Sequence, residues 1–194
     1  MTQKRSNLSK FNKKRLLLSV FLIASLFGGL ETRTKKAFAS PGGIEFQWDA
    51  DPNFVRLKGY QSSKKRMEKS IYYFFLRARA RKTGILKLTI KIPDYFKAKI
   101  SSEKLNLCHV KIGGATSKTR CEQDIPAVFE VNETNTAIDI YPDQPIPADK
   151  KNYAVVMKIK NPRKSGMFQF HGYAQSPGAI PISSYMGSWT FDVK

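Results

Sequence analysis

Acidic residues are scarce in this chain: 15 aspartates and glutamates stand against 34 lysines and arginines, a formal charge of +19 over 194 residues. Cysteine and histidine are scarcer still, with two of each. A metal centre would have to draw on Cys108, Cys121 or carboxylates, and Cys108 and His109, as neighbours in an extended segment, point to opposite faces. No metal or cofactor site is therefore expected. The chain has no glycine-rich phosphate loop and no serine in a nucleophile-elbow sequence, which leaves nucleotide binding and serine-based acyl transfer without a signature. The longest apolar run, from Leu16 to Leu30, falls short of the ~20 residues a spanning helix needs. Helical periods are scarce too, and the lack of internal repeats and low-complexity linkers means a second domain is not expected.

What is present begins with an address. Lys4, Arg5, Lys10, Lys13, Lys14 and Arg15 precede the apolar run, and Ala37-Phe38-Ala39 follows a short polar stretch. Basic, apolar and small-residue regions in that order make a secretory signal. Residues 1–39 are expected to be removed before Ser40, leaving residues 40–194 as a single domain. An uncleaved anchor is the alternative, suggested by the charged stretch from Glu31 to Lys36. No cysteine lies near the processing site, which excludes a lipoprotein, and adjacent twin arginines are absent, which favours general export. Without the leader the chain keeps 25 basic and 14 acidic residues, a net +11.

After Ser40, short alternating runs recur at the spacing of an all-β protein. Residues 44–48 are a first strand candidate. Ser62-Ser63, before the basic cluster Lys64-Lys65-Arg66-Met67-Glu68-Lys69, is expected to cap a single helical turn in a solvated loop. Tyr72, Phe74 and Leu76 alternate with Tyr73, Phe75 and Arg77, a strand covered on both sides at its start. Leu86, Leu88, Ile90 and Ile92 alternate with Lys87, Thr89 and Lys91 and end at Pro93, so these lysines should face water. Residues 105–112 form a strand closed by Gly113-Gly114, and residues 127–131 and 136–141 form a hairpin about Asn132-Glu133-Thr134-Asn135.

The stretch from Asn152 to Ala174 reads as a long β-hairpin. Its arms carry Tyr153, Val155, Met157 and Ile159 on one side and Phe168 and Phe170 on the other, joined by the turn Asn161-Pro162-Arg163-Lys164-Ser165-Gly166. A last strand places Trp189, Phe191 and Val193 on one face. The expected fold is an immunoglobulin-like or related β-sandwich of about seven to nine strands with little helix. Val155, Ile159, Phe168, Phe170, Leu88, Ile90, Trp189 and Phe191 should be buried.

Two groups of residues carry potential chemistry. Cys108 and Cys121 are an even count in an exported chain, and the loop between them contains Gly113-Gly114, so a disulfide is expected; a ring of that size contributes ~3 kcal/mol. A free buried thiol with its partner in a loop is the alternative. Residues 56–120 hold eighteen basic and three acidic residues, whereas residues 121–149 hold seven acidic and no basic ones. If their strands pair, Arg77, Arg79, Lys87 and Lys91 form a positive stripe that attracts polyanions through counterion release. The bland alternative is a merely soluble basic surface.

Several of these runs together resemble an exported cyanobacterial family, the domain of unknown function 2808. The matching pieces are Tyr72-Tyr73-Phe74, Cys108-His109-Val110-Lys111-Ile112-Gly113, the turn at residues 161–166 with Phe168 and Phe170, and Gly187-Ser188-Trp189. The resemblance implies an exported bacterial β-sandwich and carries no catalytic residues across. The expected function is a non-catalytic binding or structural module of the periplasm, cell envelope or thylakoid lumen. Its partner would be an anionic envelope polymer, an anionic lipid or an acidic protein. Nucleic acid fits by charge, but export and the lack of a recognition helix or base-stacking motif count against it. A hydrolase or other enzyme acting on envelope polymer is the alternative reading.

Overall fold

A computed structural model describes residues 54–180 and 182–194, so the leader, its cleavage site and the candidate strand at 44–48 lie outside the described residues. Within them the chain runs β1 (Gly59–Gln61), β2 (Lys69–Leu76), β3 (Lys87–Lys91), β4 (Leu105–Lys111), β5 (Arg120–Ile125), β6 (Ala127–Val131), β7 (Ala137–Pro142), β8 (Tyr153–Lys160), β9 (Gly166–Gln175) and β10 (Ser183–Val193). Two short 3-10 turns, Ala78–Ala80 and Ser102–Lys104, are the helical elements among the described residues. The strands make two antiparallel five-stranded sheets, ordered β1-β2-β8-β4-β5 and β10-β9-β3-β7-β6. This is the expected β-sandwich, with ten strands. β1 spans three residues, and β5 is an edge strand wet on most of its surface, so neither carries an apolar alternation.

The core is built from the inward rows of both sheets. Tyr72, Phe74 and Leu76 of β2 and Val155, Met157 and Ile159 of β8 meet Leu88, Ile90, Phe168, Phe170, Trp189 and Phe191 of the second sheet. Phe74 sits at its centre, edge-on to Phe170, Trp189 and Phe191 at centroid distances of 5.3, 5.3 and 5.1 Å. Each such pair adds ~0.5–1.5 kcal/mol to the ~1.5–3 kcal/mol from burying each large apolar side chain. The Trp189 indole also donates to the Phe75 carbonyl at 3.3 Å, a polar tie between the sheets. Gly172 makes room for it, since a Cβ there would lie 2.7 Å from the indole.

The expected hairpin over 152–174 does not form. β8 lies in one sheet between β2 and β4, and β9 lies in the other between β10 and β3. Both edges of β8 are taken, so the chain crosses at 161–165 from one layer to the other, the ~10 Å between stacked sheets. Val156 and Ala154, on the outward face of β8, are buried in a second cluster with Tyr73, Phe75, Cys108 and Val110. Cys108 on β4 is bonded to Cys121 on the neighbouring β5, with Cα atoms 5.7 Å apart.

Two smaller expectations also change. The 62–68 segment is a non-helical turn: Ser63 Oγ accepts from the Lys65 amide at 3.2 Å, but Met67 takes φ +58° and ends any helical path. Leu86 precedes β3 and is 40% exposed, because its neighbour Ile85, bridged to Ile146, takes the inward place instead.

Candidate functional site

Arg77, Arg79, Lys87 and Lys91 do not share a sheet. Arg77 and Arg79 follow β2, which pairs with β1 and β8; Lys87 and Lys91 belong to β3, which pairs with β7 and β9. The stripe expected from pairing of β2 with β3 is therefore split between the two layers. Lys87 is also engaged locally. Its Nζ lies 3.0 Å from Asp139 and 4.8 Å from the Tyr141 ring centre. The Tyr141 hydroxyl, chiefly, and then Asp139 raise its pKa against the opposing pull of desolvation. Lys91 is exposed opposite His171.

The chain passes from β2 to β3 over one end of the sandwich, and Arg81 pins that passage. Arg81 is 3% exposed. Its guanidinium donates to the Leu76 carbonyl, to those of Pro147, Asp149 and Lys151 at 3.2, 3.2 and 3.0 Å, and to the Asp149 carboxylate at 2.9 Å. It also lies 4.4 Å over the Tyr153 ring. Burial pulls its pKa down, with Asp149 and Tyr153 opposing that pull, while burial and Asp149 push the Tyr153 phenol up to about 12. This arginine holds loops together and has little left to offer a ligand.

The opposite end carries a second cluster of basic side chains. Lys64, Lys65 and Arg66 are exposed on the turn between β1 and β2, and Arg163 and Lys164 are exposed on the crossing between β8 and β9. Asn161 joins the two. It is 2% exposed; its Nδ2 donates to the carbonyls of Ser63 and Lys65 at 3.1 and 2.8 Å, and its Oδ1 accepts from Tyr72 Oη at 2.5 Å. Burial raises the Tyr72 phenol far above its ordinary value, so the hydroxyl remains a donor. The Asn161 amide donates to the Glu68 carbonyl, and Arg66 and Lys194 are tied in by Arg66 N to Lys194 O at 2.9 Å and Lys194 N to Lys64 O at 2.7 Å. Met67 at φ +58° stores roughly 1–2 kcal/mol of strain in this turn.

Between the turns, on the outer face of the first sheet, Lys69 stands directly opposite Lys160, with Lys158 two residues further along the same face. All three are exposed. Like charges in cross-strand register destabilise a sheet by roughly 0.2–1 kcal/mol. Counted together, nine basic side chains gather here beside three carboxylates. Glu68 is bound by Ser63 Oγ, Asp192 lies 3.7 Å from Lys64 and 3.5 Å from Lys194, and Asp94 lines a neighbouring cleft of about 230 Å³ with Tyr95 and Lys164. In sequence, residues 64–69 read as a solvated loop and residues 161–166 as a turn. Nothing in either run announces that they meet.

One serine–histidine contact bears on the enzyme alternative. Ser188 Oγ lies 2.8 Å from His171 Nδ1 and 2.7 Å from Tyr185 Oη. Ser188 is fully buried, and neither it nor His171 lines the clefts at the two ends of the sandwich. The trio ties β9 to β10. Among the described residues, no group of three or more histidines, cysteines or carboxylates is placed to hold a metal ion.

Two stacked antiparallel five-stranded sheets, with a cluster of basic side chains on the β1–β2 turn and the β8–β9 crossing, define a small β-sandwich module. The chain belongs to the family described as protein of unknown function DUF2808, whose model matches residues 46–193. No curated protein matches the chain. Among solved structures it is similar to the collagen-binding domain of a Staphylococcus aureus adhesin, at 15% identity and a TM-score of 0.40, covering 70% of this chain and 95% of that one. It is likewise similar to BslA, a bacterial hydrophobin, at 10% identity and a TM-score of 0.45, covering 73% of this chain and 95% of that one.

Proposed function

We propose that this protein is a non-catalytic, exported binding or structural module of the cell envelope or lumen, and that its basic end engages an anionic polymer. The observation that carries the reading is the Lys69–Lys160 pair, held in register between two basic turns that a buried asparagine locks together. A fold gains nothing from opposing two lysines across a ladder, whereas a polyanion laid along them turns the repulsion into attraction. The secretory order of the leader supports export.

The test is retention on immobilised anionic polysaccharide as salt is raised. Lys69→Gln/Lys160→Gln and Arg163→Gln/Lys164→Gln should each lower the slope of log affinity against log salt by roughly one per lost contact. They should leave thermal stability unchanged or raise it. Arg77→Gln/Arg79→Gln should have a much smaller effect. Salt-insensitive retention would refute the charge mechanism. Binding to anionic vesicles or to an acidic protein that Lys69→Gln/Lys160→Gln abolishes would assign this end to one of those partner classes instead. Fragmentation of the retained polymer would establish the enzyme instead.

A further inference from the structure

The end opposite the basic turns carries a different surface. There the chain leaving β9 lies beside the β2–β3 passage: Ser176 Oγ and Thr83 Oγ1 are 2.6 Å apart, and the Leu86 amide donates to the Gln175 carbonyl at 2.7 Å. Two isoleucines between β9 and β10 stand in water, Ile180 at 75% and Ile182 at 68% exposure. Leu86, whose amide bonds Gln175, and Val55, in a cleft with Ser176, belong to the same end, so four of the seven exposed large apolar side chains among the described residues lie there. Single exposed apolar residues are ordinary, but a group of them at one end marks an interaction surface.

The same end is basic. A cleft of about 290 Å³ is lined by Val55, Arg79, Lys82 and Tyr185 among others, and neither Arg79 nor Lys82 has an ion-pair partner among the described residues. Asp149, the carboxylate tied to this passage, is already matched by Arg81. An apolar tip flanked by unmatched cations fits one kind of surface in particular: a bilayer whose anionic head groups overlie acyl chains. We propose that this end docks on an anionic lipid bilayer, inserting Ile180 and Ile182 while Arg79 and Lys82 meet the head groups. The proposal concerns the end opposite the polymer site and uses different residues, so either can fail without the other.

The test uses the full chain as expressed, with Ile180→Cys labelled by an environment-sensitive fluorophore. Cys108 and Cys121 are bonded to each other, so the new thiol is the one that labels. The label reports only its own surroundings, and membrane binding by any other segment does not register. Its emission should shift to the blue on mixed vesicles of zwitterionic and anionic phospholipid, and much less on zwitterionic vesicles alone. A label placed by Lys164→Cys should stay in water. Arg79→Gln/Lys82→Gln should weaken the partitioning seen by the Ile180 label about thirtyfold. Ile182→Asp should weaken it at least about tenfold. Because these positions are exposed, unfolding curves should be unchanged. A label that stays in water on anionic vesicles overturns the proposal, as does an equal shift on both vesicle types. A shift that grows with protein concentration without lipid would assign the patch to a second copy of the chain and overturn it as well.

Discussion

Asn161→Ala removes three hydrogen bonds from a side chain that is 2% exposed, and the three losses differ in kind. Tyr72 is fully buried, so its hydroxyl is left without its acceptor at a cost of about 1–3 kcal/mol. The carbonyls of Ser63 and Lys65 sit on a turn that water reaches, and each loses only the net value of a bond, about 0.5–1.5 kcal/mol. The expected destabilisation is therefore about 2–6 kcal/mol, a large share of the ~5–15 kcal/mol that holds a domain folded. Urea unfolding at constant slope measures it. Tyr72→Phe in the same background removes the stranded hydroxyl, so the double variant should recover about 1–3 kcal/mol relative to the sum of the singles. The charge of the basic end is untouched by Asn161→Ala, yet polymer retention should weaken, because Asn161 positions the turns that carry the lysines. A loss below about 1 kcal/mol, or strict additivity with Tyr72→Phe, would refute the reasoning.

Replacing both Cys108 and Cys121 with serine should lower stability by about 3 kcal/mol, since their bond closes a loop at a sequence separation of 13. Thiol labelling of the unreduced, denatured protein should find neither cysteine free. Asp149 supplies a pH signature. Desolvation, the largest single influence, raises its pKa, but the Tyr153 hydroxyl, the Lys151 amide and Arg81 together outweigh it and hold the carboxyl below its ordinary value. A carboxyl lowered in the folded state contributes stability above its unfolded pKa and loses it as pH falls through the folded one, so Asp149→Asn should flatten the acid loss of stability below about pH 4. Parallel acid titrations of the two proteins would refute this.

The strands that carry an apolar row were legible in the sequence, β2 and β8 with both faces buried included, and the short or wet edge strands β1 and β5 were not. β3 and β10 alternate cleanly, and their apolar rows, Leu88 and Ile90, Trp189 and Phe191, lie in the core as the period of two requires. β8 shows where that signal stops. Its alternation says which face is inward and nothing about which strand lies at each edge, so a β8–β9 hairpin and a crossing between layers predict the same buried residues. β5 has no apolar row because it closes the edge of a sheet. Arg81 is one cation in a basic run, and only the carbonyls that converge on it from residues distant in sequence distinguish it from Arg79 and Lys82.

The same ambiguity splits the expected basic stripe and explains where basic side chains do gather. A stripe across Arg77, Arg79, Lys87 and Lys91 needs β2 and β3 as neighbours, but the two strands lie in different sheets. The crossing at 161–165 has the opposite effect. Because β8 runs beside β2, its last residues reach the turn that begins β2, and Lys160 falls into register with Lys69. The chain beyond it must then leave the layer at the same point, carrying Arg163 and Lys164 past Lys65 while Asn161 turns inward to bond that turn. A hairpin would have kept residues 161–166 in the plane of one sheet. The crossing stacks two basic turns at one end, and the polar groups buried beneath them fix the cluster in place.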